Sequence, residues 1–357
     1  MGNSGYYFIN EIKNIYSRLG DDLSEYIFSQ RLLYSLTGAS SYIENVVSTV
    51  PEGQAFLEVL RKPGDKVIFG AGNWGGNIAQ IYRQYGIKCF VDNRITISGV
   101  ESKYGLPLIS FNDYLLNYRD AVVLVCSLFS HKEIINQLRA NGIDGSLIIN
   151  VGKMIYDMNG RQYFDFEPMH EGYVEDEVFI DAGAFDGRTS LQFVKWCGGE
   201  YKKIYAFEPE PSNINLCRKT LDEVSAKYEI IPKGLWKDDT ELAFVTGAKG
   251  ASHIKSIERT NALGGGREVV QVVSLDRVLG DEIVSFIKMD IEGAEHNGLL
   301  GAEKQIRANR PKLAISIYHK PEDMWDLPGL ILSFQPDYKL YLRHYSIAAS
   351  ETVLYAI

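Results

Sequence analysis

The hydrophobic positions at the start of the chain repeat with a helical period. Phe8, Ile12, Ile15, Tyr16 and Leu19 fall at i, i+4, i+7, i+8 and i+11, one stripe of a helix. Gly20 stops it, Asp21 and Asp22 open a second helix through Leu36, and a third, residues 54–60, ends at Lys62-Pro63-Gly64. No strand pattern interrupts this stretch. Residues 1–62 are therefore expected to form a helical cap, a packing or self-association appendage without chemistry of its own.

The period changes at Lys66. Short apolar runs at 67–69, 87–91, 121–126 and 147–150 read as strands, with helices expected at 77–85 and 131–141. After a polar, turn-rich segment taken as a linker over 156–177, a second series begins. Strands are expected at 178–181, 203–207, 228–232, 285–289 and 313–317, and the chain closes on two further strand-like runs, 338–345 and 352–357. Strands alternating with helices of this length imply parallel βαβ units. The expected fold is α/β: a helical cap (1–62), a Rossmann-like unit (63–155), the linker, and a second, larger Rossmann-like domain (178–357).

Composition narrows the partners. The 357 residues are 45% hydrophobic and 23% charged, which is ordinary for a globular protein and excludes disorder and collagen-like sequence. With 37 Lys+Arg against 46 Asp+Glu the net charge is −9, and no Lys/Arg run stands out, so nucleic acid is not an expected partner. The longest apolar run, about residues 121–129, is far short of the roughly 20 residues of a membrane-spanning helix. No basic-then-apolar leader is evident at the start. Cys89, Cys126, Cys197 and Cys217 are scattered without CxxC spacing and read as reduced thiols, so a cytoplasmic location is expected.

Two glycine-rich turns carry the candidate chemistry. The first, Gly70-Ala71-Gly72-Asn73-Trp74-Gly75, is a GxGxxG between a strand and a helix, with Asp92 20 residues after Gly72 at the end of the next strand. Gly70, Gly72, Gly75 and Asp92 thus form a candidate nucleotide-type site, the glycines for turn and phosphate approach and the acid for ribose hydroxyls. No second βαβαβ half is evident after Asn150, so no full dinucleotide crevice is expected. The Tyr-x-x-x-Lys pair of short-chain dehydrogenases is absent from the chain.

The second turn, Asp181-Ala182-Gly183-Ala184-Phe185-Asp186-Gly187, has the spacing D-x-G-x-x-x-G. Asp181 ends a strand and is expected to face the crevice mouth, with Gly183 and Gly187 lacking the Cβ atoms that would obstruct a ligand. Fewer glycines and a carboxylate at the rim suit a cationic or zwitterionic nucleoside better than a pyrophosphate. Glu208, in Phe207-Glu208-Pro209, stands one strand–helix–strand unit downstream, where a ribose-diol acceptor belongs. Asp290 and Glu292 follow the strand 285–289, and His319 follows the strand 313–317, at the same rim. An imidazole near its usual pKa of about 6.5 is suited to take a proton, which makes His319 a candidate base beside Asp290. Asp290, Glu292, Glu295, His296 and His319 also offer an alternative, a Mg²⁺-type site. It is not the favoured assignment, because adjacent acids before a helix also serve its dipole.

With the strand, D-x-G-x-x-x-G, Phe-Glu-Pro and Lys-Met-Asp-Ile-Glu-Gly-Ala-Glu in order, residues 178–357 resemble the FkbM family of S-adenosylmethionine-dependent methyltransferases. Gly234-Leu235-Trp236 and Val273-Ser274-Leu275-Asp276 add to the resemblance. It implies a class I methyltransferase sheet of seven strands with the last antiparallel, and S-adenosylmethionine as cofactor. It also implies roles for Asp181, Gly183 and Gly187 in the cofactor loop, Glu208 at the ribose, Trp236 near the adenine, and Asp290 at the methionine end. The turn lacks a GxGxG, a departure from the commoner loop. The first 177 residues lie outside the resemblance and are similar only in style to sugar-nucleotide-binding domains.

The expected reaction is methyl transfer to a hydroxyl of a small-molecule acceptor, a saccharide, sugar nucleotide or other biosynthetic intermediate, with Asp290 or His319 assisting. The alternatives are an NAD-dependent sugar-nucleotide enzyme acting through the first turn, and a non-catalytic nucleotide-binding scaffold. Self-association is expected to run through the aromatic-rich cap.

Overall fold

The computed structural model describes residues 3–95, 102–172, 175–224, 226–245 and 267–357. Four helices open the chain: α1 (Asn3–Tyr16), α2 (Asp22–Thr37), α3 (Ser40–Val47) and α4 (Pro51–Arg61). Then come β1 (Lys66–Phe69), α5 (Asn73–Tyr82), β2 (Ile87–Val91), β3 (Ser102–Lys103), β4 (Leu106–Ile109), α6 (Phe111–Asn117), β5 (Val122–Val125), α7 (His131–Ala140), β6 (Ile148–Ile149) and α8 (Val151–Asn159). After α9 (Glu167–Glu171) follow β7 (Val178–Ala182), α10 (Arg188–Trp196), β8 (Lys203–Phe207), α11 (Pro211–Asp222) and β9 (Tyr228–Ile231). The remainder is β10 (Gly234–Leu235), β11 (Thr240–Val245), β12 (Arg267–Val273), α12 (Leu275–Leu279), β13 (Phe286–Met289), α13 (Glu295–Leu300), α14 (Glu303–Asn309), β14 (Lys312–Ser316), α15 (Asp323–Phe334), β15 (Leu340–His344) and β16 (Thr352–Ala356).

Two compact units result: Met1–Ser35 with Arg161–Arg343 and Thr352–Ile357, and Leu36–Gly160 with His344–Glu351. The expected cap over 1–62 is divided between them. The reason for the first part is local. Gly20 N–H donates to the Leu340 carbonyl, Leu342 N–H to Ser24 Oγ, and Arg343 pairs with Asp21 at 2.6 Å, so the start of the chain is fastened to β15.

In the unit built on 36–160, a six-stranded sheet runs β3-β4-β2-β1-β5-β6. All of its pairings are parallel except the short β3–β4 pair. Val67, Phe69, Cys89, Val91, Val123 and Val125 form its core against Leu138 and Tyr114. These β-branched runs are buried on both faces, the usual state of a parallel sheet covered by helices. The chain winds outward from β1 to β4 and then returns to β5 on the other side, so a topological switch lies between β1 and β5.

In the other unit the order is β15-β16-β14-β13-β7-β8-β9, seven strands with β16 antiparallel to β14. The expected seven-stranded arrangement is present. Phe179 stacks on Phe193 at 4.2 Å, and Phe164 packs edge-on to Phe179 and Phe286. A separate sheet, β10-β12-β11, was not anticipated. The linker reading of 156–177 also needs correction. It contains the end of α8 and all of α9, and Tyr163, Phe166 and Met169 are buried. Tyr173 and Val174 of that stretch lie outside the described residues. No described helix is long and apolar enough to cross a membrane. All four cysteines are buried and none forms a disulfide.

Candidate active site

Register places the site. Ala182 is level with Phe207 and with Met289, and Met289 is level with Ile315. The residues that follow, Gly183, Glu208, Asp290 and the segment after Ser316, therefore emerge along one edge of the sheet, outside the carboxyl ends of its central strands. Ligands of open α/β sheets bind there.

The turn after β7 is fixed from below. Asp181 is fully buried, accepting a hydrogen bond from Ser190 Oγ at 2.7 Å and pairing with Lys288 Nζ at 2.9 Å. Lys288 Nζ also donates to the carbonyls of Ala182 and Gly183 at 3.0 and 2.8 Å. Asp181 was expected to face the crevice mouth; instead both of its oxygens are taken beneath the loop. A buried carboxylate needs such a partner, and Lys288 supplies it while tying β13 to the turn.

The two glycines act differently from expectation as well. Gly183 has φ +78°, and a Cβ on it would lie 1.9 Å from the Asp290 carbonyl oxygen. Gly187 has φ +79° and would meet Cys217 of α11 at 3.1 Å. Both positions need glycine for left-handed backbone and for close approach of another part of the protein, with ligand clearance secondary.

Glu208 stands where expected, at the end of β8. Its Oε2 accepts from Phe185 N–H at 3.0 Å and its Oε1 from Glu210 N–H at 2.8 Å. Burial raises its pKa, and the amide donors together with Asn213 and the Lys288 charge oppose the rise. A carboxylate has about four acceptor sites, so one remains after the three donors here. Trp236 follows β10, in the small sheet. Its N–H donates to the Val273 carbonyl and its backbone oxygen abuts Gly301, so this residue is held by β12 and the turn after α13.

At the far end, Asp290 Oδ2 accepts from Tyr163 Oη at 2.9 Å and Oδ1 from Tyr318 Oη at 3.3 Å. His319 Nε2 is 3.5 Å from Asp290 Oδ1 and 3.7 Å from Glu292 Oε2, and its Nδ1 is 3.1 Å from Glu295 Oε1. Asp290 and His319 are thus brought together as expected. Burial pulls the imidazole pKa down, but the contact with Glu295 and the charges of Glu295, Asp290 and Glu292 overcome it and raise it to about 9. A ring protonated at neutral pH donates rather than accepts, which moves the acceptor role to the Asp290 carboxylate. His296 faces elsewhere, pairing with Asp326 at 2.5 Å.

Lys288 and Tyr163 were missed by reading the sequence. A lysine inside the apolar run Phe286–Met289 is itself a signal, since a buried ammonium implies a buried acid.

In the other unit, Gly70 (φ +111°) and Gly75, whose Cβ would lie 2.2 Å from the Gly70 carbonyl oxygen, shape the first turn, while Gly72 faces open space. Asp92 follows β2 as expected. Its oxygens are held by Arg94, with Nε at 2.9 Å from Oδ1 and Nη2 at 2.7 Å from Oδ2. A cavity of about 470 Å³ at the switch point is lined by Gly70, Gly72, Asp92, Arg94, Ser127 and Ser130, among others.

Residues 181–342 match the family model described as "Methyltransferase FkbM domain". No curated protein sequence matches the chain. Among solved structures, one of a methyltransferase FkbM from Methylobacillus flagellatus KT is 20% identical. It covers 90% of this chain and 100% of its own, with a TM-score of 0.48. An rRNA methylase from Streptococcus thermophilus is 16% identical over 53% of this chain and 90% of its own, TM-score 0.34. A putative methyltransferase from Streptococcus mutans, solved with SAH, is 15% identical over 54% and 97%, TM-score 0.32. Residues 181–342 belong to the methyltransferase FkbM family, and this part of the chain is a methyltransferase domain.

Proposed function

We propose that this domain transfers a methyl group from S-adenosylmethionine to a hydroxyl of a small-molecule acceptor, with a saccharide or another biosynthetic intermediate as the substrate class. The observation that carries this reading is the alignment of Gly183, Glu208 and Asp290 along one edge of the sheet, at consecutive strand ends. The cofactor supplies a methyl group activated by a sulfonium and leaves as the thioether S-adenosylhomocysteine.

The residues have distinct tasks. Glu208 accepts from the ribose hydroxyls with the acceptor capacity that its amide donors leave open. The turn from Gly183 to Gly187, stiffened by Lys288 and Asp181, holds the cofactor's middle. Asp290 stands at the methyl end. With the cofactor bound, the Asp290 carboxylate would take the proton that the acceptor hydroxyl gives up on methylation. Tyr163 and Tyr318 orient that carboxylate by hydrogen bonds. A positioned base is typically worth about 10²–10⁴-fold, and orientation of the two reactants contributes more.

Calorimetric titration of the full chain with S-adenosylhomocysteine tests the reading. One binding event per chain, lost in Glu208→Ala, is expected; no heat in the wild type contradicts it.

The cavity at the β1/β5 switch favours a second, separate reading for the other unit, a nucleotide-type ligand. Gly72 leaves the turn open, and Arg94, paired with Asp92, lines the cavity beside Ser127 and Ser130. Thermal-shift screening with sugar nucleotides and NAD tests it, with stabilisation expected in the wild type and lost in Arg94→Ala.

A further inference from the structure

The carboxylates around His319 do more than the proposed transfer requires. Three acids, Asp290, Glu292 and Glu295, surround one imidazole, and ligand-capable atoms of Asp290, Glu295 and His319 all lie within 4.8 Å of one another. The His319 side chain is only 8% exposed, and no described group completes a hydrogen bond to either ring nitrogen. At 3.1 Å from Glu295 Oε1, the Nδ1 position is an ion-pair contact in which the ring N–H is not aimed at the oxygen. Glu295 Oε2 is likewise buried without a hydrogen-bond partner. Buried polar atoms are almost always satisfied, so a group of them facing one another marks a ligand position.

We propose that this cluster binds a divalent cation that displaces the Nε2 proton of the His319 ring, with Asp290 Oδ1 and His319 Nε2 as ligands, Glu292 on the open side and Glu295 beside Nδ1. The separation of Asp290 Oδ1 from His319 Nε2 fits that assignment. Separations of 3.5 and 3.7 Å from Nε2 are too long for hydrogen bonds. Two bonds of about 2.1 Å meeting at a tetrahedral angle span roughly 3.4 Å between ligand atoms. Asp290 is held for the task, since Tyr163 Oη secures Oδ2 at 2.9 Å, and Oδ1, which accepts from Tyr318 Oη at 3.3 Å, keeps a lone pair for the cation. A carboxylate beside the far nitrogen of a ligating imidazole is the usual support of such a ligand. Two carboxylates with one imidazole suit Mn²⁺, Fe²⁺ or Zn²⁺ better than Ca²⁺.

The role of the cation rests on the methyl-transfer reading, in which a hydroxyl coordinated beside Asp290 loses its proton more readily. Binding of the cation does not rest on it. The competing account is an imidazolium that only ties β14 to the turn after β13, and such a clamp gains nothing from a metal ion.

The test is a titration of the chelator-treated full chain with Mn²⁺, followed by the electron paramagnetic resonance signal of the free ion. One site per chain is expected, weakened at least tenfold in Asp290→Asn and in His319→Ala, and about 10–100-fold in Glu295→Gln. Glu303→Gln, at a half-exposed side chain paired with Arg307 on α14, should bind as the wild type does. Selective paramagnetic broadening of the His319 ring resonances in the wild type gives the same answer without relying on a variant that folds. Absence of a Mn²⁺ site, or equal affinity in well-folded Asp290→Asn and His319→Ala, overturns the proposal. A parallel titration with S-adenosylhomocysteine separates the two readings. Cofactor binding without Mn²⁺ binding removes only the cation site, and Mn²⁺ binding without cofactor binding removes only the methyltransfer assignment.

Discussion

The two glycine turns share an architecture and differ in charge. Each follows the first strand of a parallel sheet, each has an acid at the end of the neighbouring strand, and each sits at the carboxyl edge. In one, Asp92 is paired with Arg94, whose side chain is 76% exposed, and Glu133 also lines the cavity. In the other, the ammonium of Lys288 is only 2% exposed and spent on Asp181 beneath the turn. The rim there carries Glu208, and Asp290, Glu292 and Glu295 gathered around the His319 imidazole. Where the balancing cation is placed, in solvent or under the loop, is what separates two otherwise similar turns. Glycine spacing alone does not carry that information.

The contrast can be broken most severely at Lys288. Lys288→Met strands a fully buried Asp181, and removal of one partner of such a pair costs about 3–5 kcal/mol, read as a shift in the urea unfolding midpoint. A loss below about 1 kcal/mol would mean that Asp181 is not supported as described. Gly183→Ala comes next. Left-handed backbone for a non-glycine residue costs about 1–3 kcal/mol, and the added Cβ must displace the Asp290 carbonyl as well. Thermal unfolding should fall and S-adenosylhomocysteine affinity with it. Wild-type values for both would remove the argument for close packing.

Glu208→Gln keeps the shape of the side chain but sets an amide NH2 against the N–H of Phe185 or Glu210. It should lower stability by about 1–3 kcal/mol and cofactor affinity about tenfold, about 1.4 kcal/mol. The smallest effect belongs to Arg94→Ala, which breaks an exposed pair worth under about 1 kcal/mol. Its pH dependence is informative. The side-chain hydrogen bond from Arg94 is the main reason that the Asp92 pKa is lowered, against the opposing effect of burial. A depressed folded-state pKa contributes stability above the unfolded carboxylate value, and that contribution fades as pH falls through the folded one. The difference between wild type and variant should therefore be present at neutral pH and vanish on acidification. A difference that grows in acid would contradict the pairing.

The parts of the site that could be read in the sequence are those that register creates. Glu208, Asp290 and His319 end parallel strands, so a correct reading of the strands brings them to one edge. What stayed hidden depends on depth. Asp181 also ends a strand, yet only packing decides that its carboxylate turns under the loop toward Ser190 and Lys288. Tyr163 sits in a stretch whose polar composition resembles a linker, and its contact with Asp290 spans 127 positions of sequence. A helical signal was nonetheless present, since Val151, Ile155 and Met158 follow i, i+4, i+7 and are buried on α8. The cap failed as a unit for a different reason. Helical period says that a helix buries one face, and the partner of that face is set by distant residues such as Leu340 and Arg343.

The central claim is that the cofactor binds at the acid-rich edge. Calorimetric titration of the full chain with S-adenosylhomocysteine, run on the wild type, Glu208→Ala and Asp92→Ala, tests it most directly. The account predicts one binding event per chain, lost in Glu208→Ala and retained in Asp92→Ala. No binding in the wild type, or loss in Asp92→Ala with retention in Glu208→Ala, would contradict it.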